Sequence, residues 1–299
     1  MTTKTTKKAA KPEGFNGKAI YNPKGKAGEY APWACNFYNG CSNDCEYCYC
    51  KRGYMSHNWD DVPHLKKCFK DENKALEIFE KELHQNLEDL KASSLFFTFS
   101  SDPFLPGVKS TYWAAAACAL SHGVRVQFLT KRADFVDDYF IHHNSFARKM
   151  IAFGFTLTGC DAKEPGASTN RERIEAMRIL HERGFKTFAS IEPIVDIKAS
   201  KSMITETLGF CDLYKIGLMS GVKQDYYKDE DLRAFMWWLA DRHTESNIKG
   251  SVSLLNGIYT DRTMKIYIKQ SIRDRLGDSQ VINSISVSSD YDIFRREIL

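Results

Sequence analysis

Three cysteines, Cys41, Cys45 and Cys48, stand as C-x3-C-x2-C within "GCSNDCEYCYC", residues 40–50. Thiolates bind soft or borderline metals. Structural zinc takes four filled positions, and Cys35, Cys50 or His57 could each supply a fourth. A [4Fe–4S] cube held by three thiolates keeps one iron open, free to bind and activate a second molecule. Gly40, Ser42, Asn43 and Asp44 are small or polar and let the backbone turn tightly around such a site. The spacing suits a cluster and leaves zinc open.

A loop of this kind needs a scaffold to present it. Downstream, apolar runs alternate with amphipathic ones. Short runs at Ser94–Ser100, Val124–Thr130, Ile151–Thr158, "FKTFASIEPI" and Cys211–Met219 read as strands, after an approach strand "ACNFYNG". Between them lie helical patterns: Lys74–Leu90, "TYWAAAACALSH" ended by Gly123, 134–150 in one or two pieces, Asn170–Gly184, and about 200–208. Strand and helix in alternation with short connections mean a parallel sheet wrapped by helices. The expected fold is α/β, a partial TIM-type (β/α)6 barrel with a C-terminal βα extension. Residues 1–28 are expected to be a flexible basic tail, 29–220 the core barrel, and 221–299 an extension packed on it. Within the extension "EDLRAFMWWLADRH" reads as helix, "SVSLLN" as strand and "DRTMKIYIKQSIRDRLG" as a last helix. Barrels of this class do chemistry on the loops after the strands' C-terminal ends, and the cysteine loop is such a loop.

Composition narrows the setting. The chain has 299 residues, 43% hydrophobic and 27% charged, enough for a sizeable core. Its net charge of +4 is too mild to indicate nucleic acid by itself. Lys4, Lys7, Lys8, Lys11 and Lys18 could touch phosphates or form a solvated tail. The longest apolar candidate, Trp113–Leu120, is far short of a membrane span, and the N-terminus lacks the apolar segment of a secretion signal. Nine cysteines, odd in number and scattered apart from one cluster, point to free thiols in a reducing cytoplasm.

With Tyr47 before its last cysteine, the motif resembles that of the radical S-adenosylmethionine (radical SAM) superfamily. Four segments resemble its spore photoproduct lyase-like branch: "YNGCSNDCEYCY", "FSSDPFLPG", "FLTKR" and the stretch Phe155–Asp196 with "EPG", an arginine and "PI". The resemblance covers about residues 38–196. It implies a [4Fe–4S] cluster on Cys41, Cys45 and Cys48, with SAM on the open iron. It also implies reductive cleavage of SAM to a 5′-deoxyadenosyl radical that abstracts hydrogen from a substrate, and an external flavodoxin- or ferredoxin-like electron donor. By position, Ser101 and Lys131 match contacts to the SAM methionine end, Thr156 and Thr158 a pair beside the ribose, and Tyr47 a place near the adenine. Read without the resemblance, Ser101–Asp102 suits a turn before Pro103, Lys131 a solvated strand end, and the threonines ordinary strand positions. Glu164 and Arg173 suit an ion pair across the loop or ligand contact.

Two departures bear on the substrate, for which the branch suggests nucleic acid or nucleotide. Phe99 stands where the lyase carries a hydrogen-donating cysteine, which argues against the lyase route. Glu192, in "SIEPI", is a carboxylate where the branch is apolar or small. It could bind ribose hydroxyls, accept a proton, or pair with a lysine such as Lys215, which interrupts the apolar strand "LYKIGLM". Glu192 and Lys215 are the candidate catalytic pair. His142 and His143 read as surface residues; Trp237 and Trp238, and Cys35, Cys68, Cys118 and Cys211, read as core. The competing reading is a zinc-bound nucleic-acid-binding module without redox catalysis.

Overall fold

The computed structural model describes residues 14–255 and 264–295. Eight strands form one sheet in sequence order: β1 Ile20–Tyr21, β2 Trp33–Cys35, β3 Leu95–Phe97, β4 Val126–Thr130, β5 Ile151–Thr156, β6 Lys186–Ile194, β7 Leu213–Leu218 and β8 Ile266–Ile268. β1 is antiparallel to β2, and every later neighbour is parallel. The sheet is an open barrel whose ends, β1 and β8, are not paired to each other.

The described α-helices are α1 Glu72–Gln85, α2 Leu87–Ala92, α3 Lys109–Ser121, α4 Asp138–Asn144, α5 Asn170–Glu182, α6 Ile197–Thr207, α7 Asp229–Leu255, α8 Gln270–Leu276 and α9 Gln280–Ile285. Their starts follow local chemistry. Asp71 caps α1, Asp196 caps α6, and Thr169 with Glu172 forms a capping box on α5. A short hairpin, Tyr38–Asn39 against His64–Leu65, brackets the cysteine loop.

Strand residues alternate between two cores, as the period of two requires. Phe97, Phe128, Phe153, Ile191 and Ile216 face the helices. Phe97, Phe128 and Phe153 lie in register and stack at 5.2 and 5.7 Å. Ala34, Phe96, Ala152, Phe188 and Leu213 form the second core, in the lumen. Phe188 fills that lumen over Gly154, where a Cβ would fall 2.1 Å from its ring.

Several expectations need correction. Of the expected tail, residues 1–13 lie outside the described residues; within 14–28, Gly14, Asn16, Lys18 and residues 24–26 are exposed, but a strand at its centre is anchored. Ala19 and Ile20 are fully buried, and the N–H groups of Lys18, Ala19 and Ile20 donate to the Glu82 carboxylate at 2.7–3.0 Å. In "SVSLLN", residues 251–255 are the end of α7, and Asn256 lies outside the described residues. In the expected last helix, residues 261–263 lie outside the described residues; Ile266–Ile268 is β8, and the helix begins at Gln270. The extension therefore contributes a seventh parallel strand. The helix expected at 74–90 is broken at Asn86. Trp237 is 64% exposed and Cys68 is exposed, so neither is core.

Candidate functional site

The cysteine loop follows β2 and is held from three sides. Asp102, in the loop after β3, is the hub. Its carboxylate accepts from Thr130 Oγ1 (2.6 Å), Lys131 N (2.7 Å), Asn43 Nδ2 (2.8 Å) and Phe104 N (3.1 Å). One carboxylate thus ties the cysteine loop to the ends of β3 and β4. On the other side the 161–167 loop docks directly, with Glu46 N donating to Lys163 O and Gly166 N to Asn43 O. A Cβ at Gly166 would meet Ser42 O at 2.0 Å, so this approach requires glycine.

Beneath that loop Glu164 and Arg173 form an ion pair with both side chains fully buried. Glu164 also accepts from Tyr47 Oη and, at 3.1 Å, from Thr158 Oγ1. Arg173 Nη1 donates to Thr156 O at 2.5 Å. Tyr47, Thr156 and Thr158 therefore converge on one network with Glu164 and Arg173. Thr158 spends its hydroxyl hydrogen on Glu164 and accepts from Cys160 N at 3.2 Å. Burial, and then the Glu164 charge, raise the Tyr47 phenol well above its ordinary range.

Ser101 Oγ is buried and has no hydrogen-bond partner among the described residues. Asn43 Oδ1, in the cysteine loop, is in the same condition. Lys131 Nζ lies 5.6 Å from the centre of the Tyr47 ring, and no carboxylate of the described residues pairs with it. Burial would lower the Lys131 pKa, but Cys45, Glu164 and Cys48 together raise it. Burial, then Asp102, push the Cys41 thiol up to about 12, and burial raises Cys45. The Cys50 thiol holds Cys48 down to about 6.

Among the described residues no three His, Cys, Asp or Glu side chains converge where a single ion could sit. A cube takes each thiolate on a different iron and makes no such demand. The donor set fits a cluster with SAM: three thiols on one loop, an unpartnered hydroxyl, and an ammonium without a carboxylate.

A second polar group lies in the lumen near the ends of β6, β7 and β8. Glu192 Oε2 accepts from Tyr30 Oη (2.7 Å) and pairs with Lys269 Nζ (2.5 Å). Tyr30 Oη also meets Ser190 Oγ at 2.7 Å. The partner of Glu192 is thus Lys269, and not Lys215 as its strand position suggested. Lys215 Nζ instead donates to the carbonyls of Glu29 (3.0 Å) and Tyr30 (2.9 Å). Glu29 accepts from Tyr267 Oη and Gln270 N and lies 3.4 Å from Lys269 Nζ. Residues 25–30 thereby strap the open side of the barrel to β7 and β8. Burial, then Lys269, bring Lys215 down to about 7, against the pull of Glu29 and Glu192.

Phe99 joins the two sites. Its ring stacks on Phe96 at 4.5 Å and meets Tyr30 edge-on at 5.9 Å, while its carbonyl accepts from Cys50 Sγ at 3.6 Å and from Tyr49 Oη. Sequence reasoning missed Asp102 as a hub, and Glu29, Tyr30 and Lys269 altogether. The lysine closing "KIYIK" was the available signal, since it ends an alternating run as Lys215 interrupts one.

No protein-family model and no curated protein matches the sequence. Solved structures do match in fold. A mutant of spore photoproduct lyase matches with TM-score 0.54 and 13% identity, over 80% of this chain and 77% of that one. The lyase complexed with dinucleoside spore photoproduct matches with TM-score 0.50 and 14% identity, over the same shares. Streptococcus suis SuiB bound to S-adenosylmethionine matches with TM-score 0.53 and 10% identity, over 84% of this chain; this chain spans 53% of SuiB. At these identities the likeness to SuiB and spore photoproduct lyase is one of fold.

Proposed function

We propose that the chain is a radical SAM enzyme of the reducing cytoplasm, with Cys41, Cys45 and Cys48 holding a [4Fe–4S] cluster. The observation that carries this reading is the unpartnered Ser101 hydroxyl and the Lys131 ammonium, brought by Asp102 onto the three-cysteine loop. When bound, the cluster and SAM supply a 5′-deoxyadenosyl radical by one-electron cleavage, the electron coming from a flavodoxin- or ferredoxin-like donor. Ser101 and Lys131 would take the methionine carboxylate, as hydroxyl donor and cation. Tyr47 is fixed by Glu164, so its ring forms a wall on which an adenine can rest. Thr156 and Thr158 line the same side, Thr158 with acceptor capacity left for a ribose hydroxyl.

Glu192 faces the substrate in this reading. Tyr30 and Lys269 hold its Oε2, which orients Oε1 toward the lumen as an acceptor for a substrate hydroxyl or N–H. Lys215 holds the strap that shapes the pocket. For the substrate, nucleic acid or nucleotide is the first class to try, since one structure of like fold holds a dinucleoside. Phe99 at the boundary of the two sites supplies no thiol.

Anaerobic reconstitution with iron and sulfide tests this reading. The expected protein is brown and, once reduced, converts SAM to 5′-deoxyadenosine. A deuterated DNA, RNA, nucleotide or peptide then reveals its class by label transfer. Cys45→Ala should lose both cluster and cleavage. A colourless protein with stoichiometric zinc after the same treatment refutes the proposal and favours a zinc-bound module.

A further inference from the structure

His84 and His122 stand on neighbouring helices at the opposite end of the barrel from the cysteine loop. His84 is in the last turn of α1, and His122 follows the last residue of α3. Both helices have by then run back to where the strands begin. His84 is exposed and His122 partly buried.

Each ring is pinned by its own helix. His84 Nδ1 lies 2.9 Å from Glu80 O, and His122 Nδ1 lies 2.9 Å from Cys118 O. A carbonyl oxygen can accept but cannot donate, so both Nδ1 atoms carry the hydrogen. Ser121 Oγ, 3.3 Å from His122 Nδ1, donates its own hydrogen to Cys118 O and leaves this assignment intact. In the neutral rings both Nε2 atoms then present bare lone pairs. Those two atoms face each other at 3.1 Å. Two lone pairs at that distance repel unless a cation lies between them.

The ring placement says which cation. A head-on N–H···N bond between the two nitrogens would set the ring centres about 5.4 Å apart, one imidazole radius being added at each end. The centres are 4.7 Å apart with the planes at 88°, so the ring axes meet at an angle. Two imidazole nitrogens sharing one ion at 2.0–2.1 Å stand about 3.0–3.4 Å apart for angles near 95–110°. We propose that His84 and His122 form a surface site for a first-row divalent cation that prefers imidazole, Zn²⁺, Ni²⁺ or Cu²⁺. Water completes the coordination, because among the described residues no third His, Cys, Asp or Glu joins the pair. The bound ion clips α1 to α3. Through Glu82, α1 holds β1, and α3 follows the loop of Ser101 and Asp102. The ion thus braces two supports of the barrel from outside.

The test is calorimetric titration of the full chain with Ni²⁺ at pH 7.5, beside His84→Gln and His122→Gln. The cysteine loop is intact in all three proteins, so its own metal uptake cancels. The wild type should bind one more ion than either variant and gain several degrees of Tm on saturation, a gain absent from both variants. The metal-free Tm of the variants checks their folding. Equal stoichiometry in all three proteins overturns the site. So does a loss confined to one variant, which marks a lone surface histidine, or binding that does not saturate.

Discussion

Replacing Glu164 by Gln removes one charge of an ion pair whose two side chains are wholly inaccessible to water. The amide can still accept from Arg173 and Thr158 through its oxygen and can turn its NH2 toward Tyr47, whose hydroxyl then accepts. Most of the hydrogen bonding survives, and the loss is electrostatic. Arg173 keeps the carbonyl of Thr156 at 2.5 Å but no buried anion; the carboxylate of Asp161, 3.7 Å away, is 51% exposed and screened. Breaking a buried pair from one side costs about 3–5 kcal/mol, and the residual Asp161 contact sets the expectation near 3. For a chain of this size that is a fall in Tm of roughly 5 °C. Urea unfolding of wild type, Glu164→Gln, Arg173→Met and the double variant measures it. The double variant removes both charges, so it should cost less than the two single changes summed. A Glu164→Gln protein within about 1 kcal/mol of wild type, or additive single effects, refutes the reasoning.

Lys215 should make stability depend on pH in one direction. Its folded pKa, about 7, lies below the roughly 10.4 of an unfolded lysine. Below pH 7 both states hold the proton and the burial penalty is complete. As pH rises from 7 toward 10.4 the unfolded chain binds the extra proton, and stability gains up to about 1.4 kcal/mol per pH unit from this group. The stability difference between wild type and Lys215→Met should therefore climb between pH 7 and 9 in denaturant titrations; a flat difference contradicts the assignment. Ser101→Ala deletes a buried hydroxyl that lacks a partner, so stability should hold or rise by up to about 1 kcal/mol. The half-saturating SAM concentration should rise about tenfold, the equivalent of 1.4 kcal/mol. Marked destabilisation with unchanged SAM binding would show instead that the hydroxyl serves the fold.

The alternation from β2 to β7 was legible because each strand is a short apolar run closed by turn chemistry. The loop after β2 drew the cluster reading through the spacing of its three thiols. β8 was not legible. Ile268, Ile272 and Leu276 repeat at four-residue intervals across a strand–helix junction, and no glycine or proline marks the change. With β8 read as helix, Lys269 could not be placed at a strand end, and Glu192 was matched to the nearer Lys215. Residues 251–255 were misread in the opposite sense, as a strand where they continue α7. Trp237 shows a limit of periodicity. It adjoins the apolar stripe of Leu232, Phe235, Met236 and Leu239, yet it points to solvent. The role of Asp102 depends on side chains from three separated loops, and that proximity is a property of the fold.

The strap across the open side of the barrel sets an order for biosynthesis. Glu29 binds Tyr267 and Gln270, and Lys26 O accepts from Lys269, partners 238, 241 and 243 residues away. A ribosome releases the chain from its N-terminus, so residues 25–30 emerge long before the segment that receives them. The strap can meet β6 and β7 through Ser190, Glu192 and Lys215 first, but its hold on β8 cannot form until about nine-tenths of the chain is made. During that interval the lumen cluster of Ala34, Phe96 and Phe188 lacks Tyr267 and Ile293, and the edge of β7 has no β8 to pair with. Closure is thus a late step with long loops to bring together. A nascent chain stalled before residue 264 would present an open barrel edge to chaperones, whatever the state of its cysteine loop.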